Sequence, residues 1–397
     1  MISASDSEIS LVALKFTFQG DEQSDAIPLL YPVAPEYPPR SLTSVAYALN
    51  DLPQKVKIYC LFKATDSGFS QSRNTSTVSV RAVLAKSGTD IAVCQKYFGW
   101  DSKLFSYSAP DIGFIPFMLD TTILFGDNAT VGVYESEWEW QWAMGLGSSP
   151  TAEWKTFATT TIEFLLTLNK PYHPWGWRLH ANDLRSKTLI PFASLVRHAC
   201  KWAQGATKEA TVCALVAKGF TEQTKFQYST ANAYTIYQID PSTRCPISLD
   251  NTPDFQIRAT DLVDRLHGWD GNGNKANCAD LAHILMLIAN AIGCCLSVGI
   301  LQNSANPNQV FSVNEIIPLN CELTSSEAFM FHVVAYLGDS FDENALVFDA
   351  CLQFPNGTDS PISVLGMPQT EYIQRLAKNP ADCIPQKYAA RERIHLI

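Results

Sequence analysis

The chain has 397 residues, 46% hydrophobic and 17% charged, which is too long for one typical core and too apolar for a disordered or fibrous protein; two domains are predicted. A net charge of −10 and a pI near 5.2 leave no cationic footprint for phosphates, and the basic tail from Lys387 to Arg393 is too short to supply one, so nucleic acid is excluded as a partner. No run approaches the ~20 apolar residues that span a bilayer, and MISASDSEIS lacks a basic region followed by an apolar one, so a soluble, cytoplasmic chain without a membrane partner is predicted.

In chain order, residues 1–170 read as strands: SLVALKFTF, KVKIYCLFKA, STVSVRAVLA, ATVGVYESEWEWQW and TTTIEFLLTL. They are rich in β-branched and aromatic residues and bounded by turn formers, which predicts an all-β, sandwich-like domain. Pro32, Pro35, Pro38 and Pro39 make their stretch an extended loop. Trp138, Trp140 and Trp142 alternate with Glu137, Glu139 and Gln141, so the indoles share one face. That face is either an aromatic platform for a sugar or extended peptide, or packed core.

NKPYHPWGWRLH, residues 169–180, is a stiff connector where period two gives way to helical spacing, and a second domain is predicted over 171–397. FASLVRHACKWA and ATKEATVCALVAKGF predict helices, the second closing at Gly219 as a C-cap. A third helix is predicted near 259–267, before the loop WDGNGNKAN. After Cys278, the spacing of Leu281, Leu285, Ile288 and Ile292 predicts a helix with one apolar stripe, ending at Gly293. CCLSVGIL, FMFHVVAYLG and NALVFDACLQF predict strands, giving an α+β class to this half.

Cys278 thus stands at the first turn of a helix behind a Gly/Asn-rich loop, with His332 on one later strand and Asp349 on another. A free thiol titrates near ~8.5, and a helix N-terminus with an imidazolium nearby favours its thiolate. A histidine can hold the thiol proton and return it to a leaving amine, while a carboxylate on its other nitrogen fixes tautomer and orientation. Donors before the cysteine can stabilise the oxyanion, each worth about 3 kcal/mol. Taken singly, Cys278 reads equally as a buried helix cysteine and His332 as a strand histidine. A carboxylate within the apolar VFDAC needs a partner in either case.

NCADLAHILMLIANAIG, FHVVAYL and VFDACL, in that order, resemble the transglutaminase-like superfamily, which is related to papain-like cysteine peptidases. The resemblance covers roughly residues 185–385. It implies a papain-like α+β domain with Cys278 as nucleophile, His332 as base and Asp349 as its partner. For the oxyanion it leaves two candidates: Asn272, where papain-like members place a glutamine six residues before the cysteine, and Trp269, after the upstream tryptophan of animal transglutaminases. Ala279 stands where animal transglutaminases carry tryptophan, which disfavours a calcium-switched crosslinker.

The expectation is a thiol-dependent acyl-transfer enzyme that passes through a Cys278 thioester, as a cysteine peptidase or amidase acting on peptide or protein bonds. Transfer to an amine acceptor is the alternative, and a non-catalytic binding module the third reading. Asp270, Asn272 and Asn274 mimic an EF-hand start, but Lys275 replaces the required Gly and Leu281 the required Glu, so no metal is predicted, nor any cofactor. The eleven cysteines, odd in number and without repeated spacing, are predicted to be mostly reduced and buried.

Overall fold

A computed structural model describes residues 9–16, 26–27, 43–64, 76–98, 114–144, 153–172, 175, 191–224, 226–229, 234–239, 246–248, 255–257, 262–263, 266, 275–320, 328–357, 360–387 and 394–396. The fold is mixed α+β, with strands dominating and few helices among these residues. It divides into two compact units, one made of 1–28, 34–129 and 133–166, the other of 29–33, 130–132 and 167–397. No helix of the described residues is long and apolar enough to cross a membrane.

In the first unit, Lys55–Ala64 lies between Ile9–Phe16 and Phe114–Asp120 in an antiparallel three-stranded sheet. A six-stranded sheet carries Thr43–Ala48, Lys155–Thr167, Gly132–Met144, Ser76–Leu84 and Asp90–Phe98 in that spatial order, with Ala26–Ile27 at one edge. Alternate residues of both sheets meet in one core: Val56 and Ile58, Phe117 and Leu119, Val80 and Ala82, and all three tryptophans of 138–142. Of the two readings of the tryptophan face, packing is the one observed. Trp140 meets the Phe117 ring edge-on at 5.7 Å, and its Nε1 donates to Thr160 Oγ1 at 3.0 Å. Phe114–Asp120 contains Pro116, which is tolerated because the strand is an edge.

The second unit is built on the cysteine helix, Cys278–Ala291, which packs against a mixed-length sheet of six strands. Leu296–Asn303 lies between Cys383–Lys387 and the histidine strand Phe331–Leu337. Beyond that strand come the aspartate strand Leu346–Phe354 and its other partners, Ile317–Pro318 and Ile362–Pro368. The remaining faces of the helix meet helices Ala193–Trp202 and Glu209–Gln223. All fourteen residues of the cysteine helix are buried, a correction to the single apolar stripe, since it is covered on every side rather than on one.

The helix closes as a Schellman motif. Gly293 N–H donates to Asn290 O and Cys294 N–H to Ala289 O, with Gly293 at φ +83°. Gly219 is a second correction. The helix runs past it to Gln223, so it is no cap; a Cβ there would lie 2.2 Å from Trp202 Cγ, so close packing of two helices is what requires glycine. The helix near 259–267 lies largely outside the described residues, as does most of the 169–180 connector. Helix Gln369–Leu376 went unread in the sequence.

Candidate active site

Cys278 occupies the first position of its helix, with Asn277 as N-cap accepting the Asp280 N–H at 2.9 Å. The cap and the short parallel pairing of Lys275–Ala276 with Gln227–Tyr228 fix where the chain enters the helix. The N–H groups of the first turn have no intrahelical acceptor, so they and the helix dipole favour negative charge at this end.

His332 is fully buried, and its Nε2 lies 2.9 Å from Asp349 Oδ2. Nδ1 has no hydrogen-bond partner among the described residues, and the Cys278 thiol acts on the ring electrostatically. Burial alone lowers the imidazole pKa. The charge and hydrogen bond of Asp349, with help from Cys278, outweigh it and raise the pKa to about 10. Phe329 stacks on the imidazole at 5.2 Å and 13°, and Tyr228 meets it edge-on at 6.4 Å.

Asp349 is satisfied from three sides. Oδ2 accepts His332 Nε2 and, at 2.6 Å, the Tyr372 hydroxyl; Oδ1 accepts the Cys351 N–H at 2.7 Å. Burial, then the Asp349 carboxylate, push the Tyr372 phenol well above its ordinary value, so it stays a donor. Cys351, two residues along the same strand face, is also pushed up, by burial first and then by Asp349.

Sequence reasoning missed Tyr228, a buried residue whose phenol interacts with the Cys278 thiol. Burial, then the sulfur, hold its phenol well above the usual range, so it stays protonated beside the Cys278 thiol. Its backbone pairs with Ala276, next to the helix entry, and no local spacing connects it to Cys278. Asn272 and Trp269 lie outside the described residues.

The geometry therefore unites a thiol at a helix N-terminus, an imidazole, a carboxylate and a phenol. The chain is similar to a fish transglutaminase. The solved structure is that of red sea bream transglutaminase, at 11% identity over 78% of this chain and 49% of that one, with a TM-score of 0.29. This chain spans about half the length of that structure. No protein-family model matches the sequence. No curated protein matches it either. So loose an overlay carries no weight for function, and the chemistry rests on the residues themselves.

The ligand-capable atoms of His332, Asp349 and Cys351 lie within 4.8 Å of one another. The carboxylate and imidazole there are already engaged with each other, and Tyr372 donates to the shared oxygen.

Proposed function

We propose that this protein is a thiol-dependent acyl-transfer enzyme acting on peptide or amide bonds. The observation that carries the reading is the buried His332–Asp349 hydrogen bond, 2.9 Å long, on a ring that also interacts with Cys278 at a helix N-terminus. In the first half-reaction the Cys278 sulfur attacks the substrate carbonyl carbon and its electron pair forms the C–S bond. The carbonyl π pair moves to oxygen, where the Tyr228 hydroxyl and first-turn N–H groups donate to it. As the tetrahedral species collapses, the C–N bond breaks and His332 passes its proton to the leaving amine. Asp349 holds the imidazole in register and keeps Nδ1 directed at the sulfur and leaving group.

Release is the reverse sequence with a new nucleophile, which gives its proton to His332. Water makes the enzyme a peptidase or amidase, and this is the reading preferred here. A second reading, transfer to an amine, draws support from the 5% exposure of Cys278, because a dry thioester outlives its encounter with water. The acyl donor partner is a peptide or protein in both. The eight cysteines whose side chains are described are free, which fits a reducing compartment such as the cytoplasm.

Incubation with peptide libraries, with and without a primary amine, separates the readings by product mass. Hydrolysis gains the mass of water at the cleaved bond, and aminolysis the mass of the amine. Neither product, with Cys278 intact, would exclude both and leave a binding module.

A further inference from the structure

Tyr372 belongs to an element that nothing in the site's sequence pattern announces. Its helix, Gln369–Leu376, is held at the start by Gln369 N–H on Ala345 O at 3.0 Å. At the end, Asn314 Nδ2 donates to Arg375 O at 3.0 Å and Ala377 O at 3.2 Å. Ala345 itself lies one residue before the aspartate strand, so the helix is tied to the element that carries Asp349. The Tyr372 ring is fully buried against Phe354, at 5.6 Å between centroids, and its packing needs no hydroxyl. Yet the hydroxyl donates at 2.6 Å to Asp349 Oδ2, the one oxygen that also accepts His332 Nε2.

We propose that Tyr372 is a positioning residue that acts through Asp349 to set the pH window in which the Cys278–His332 pair is reactive. The inference rests on the function proposed above. A charge-assisted O–H bond draws electron density from the oxygen that faces the imidazole. Less of the imidazolium charge is then neutralised by the carboxylate, and more of it is felt at the sulfur. Without the hydroxyl, Oδ2 holds the imidazolium more tightly, so His332 keeps its proton to higher pH. The same change weakens the field at sulfur, so the thiolate is protonated at higher pH too. Both edges of the window move upward together.

The titratable groups around this cluster are His332 on its own strand, Cys351 beside Asp349, Cys383 beside Tyr372, Cys278 and Asp280 on the helix, and Tyr228 facing the thiol. All of these side chains are kept in Tyr372→Phe, so a shift at His332 and Cys278 reports the lost bond to Asp349.

The test measures, across pH, iodoacetamide modification of Cys278 by peptide mapping, which reads the lower, thiolate edge, and the imidazole titration of His332 by NMR, which reads the upper, imidazolium edge. It uses the full chain, Tyr372→Phe, and a form with 3-fluorotyrosine at position 372. Tyr372→Phe is expected to move both edges up by about one pH unit, with the thermal midpoint little changed. The fluorinated phenol, a stronger donor of nearly the same shape, is expected to move both edges down. It serves as the deciding variant should Tyr372→Phe fail to fold. In an Asp349→Asn background Tyr372→Phe should shift nothing further, because the coupling runs through the carboxylate. Edges unmoved in both variants, or moved equally in the Asp349→Asn background, overturn the positioning role. A full chain whose Cys278 shows no reactive window at all overturns the proposed function instead, and the inference with it.

Discussion

His332 and His283 are both fully buried in the second unit, and their surroundings push them in opposite directions. His332, paired with Asp349, is raised from 6.5 to about 10, whereas His283 is lowered from 6.5 to about 4 because burial outweighs the hydrogen bond its Nδ1 makes to Ala279 O at 2.7 Å. The sign differs accordingly. The His332 contribution to stability is complete below 6.5 and is lost as pH rises through 10. That of His283 is complete above 6.5 and is lost as pH falls through 4, because the unfolded chain takes up the proton first. The second loss is on the order of 3 kcal/mol at most. Urea midpoints measured across pH are expected to fall on the acid side between these values, and His283→Asn to flatten that limb. An unchanged acid limb in the variant would exclude this source. Tyr228→Phe, which keeps the ring and removes the donor, is expected to lower kcat roughly 100-fold with KM little changed, as loss of a transition-state donor does. A change confined to KM would instead make Tyr228 a binding residue.

The helices show how glycine can be read correctly for one position and wrongly for another. At Gly293 the left-handed φ of +83° and a Cβ position 2.3 Å from Asn169 O both forbid a side chain. Gly293→Ala is therefore expected to cost about 3 kcal/mol in thermal or urea unfolding, through strain and a backbone clash at the end of the cysteine helix. A loss below about 1 kcal/mol would mean that the segment of Asn169 yields freely. Gly219 carried the same local signal, a glycine after an apolar helical run, yet it lies inside its helix against Trp202. A cap is a property of local sequence, and close packing between helices is not. The same distinction explains the site. The order of Cys278, His332 and Asp349, each beside apolar residues of strong periodicity, could be read along the chain. Tyr228 and Tyr372 could not, because each is brought to the cluster by pairing or packing with a distant segment and sits in a short element of ordinary composition.

At the scale of the molecule the chain divides into two compact units, and the first has its own hydrophobic core among the described residues. Trp138 is fully buried in the first, so Trp138→Ala is expected to cost about 3 to 5 kcal/mol there while Cys278 keeps its reactivity with pH. Lost Cys278 reactivity in that variant would show that the two units unfold together. The strands of the first core were visible as alternating apolar runs, but the sheet to which each belongs is set by long-range register, on which the sequence is silent. The role of the second unit turns on one thiol. Among the described cysteines, Cys295 is the more exposed and Cys278 is buried, so exposure alone favours labelling at Cys295. Iodoacetamide labelling followed residue by residue with pH sets activation against exposure. An activated nucleophile predicts that Cys278 is modified first, well below about pH 8, and that Cys278→Ala removes that phase. Labelling that begins at Cys295 and reaches Cys278 only at alkaline pH would contradict the acyl-transfer account.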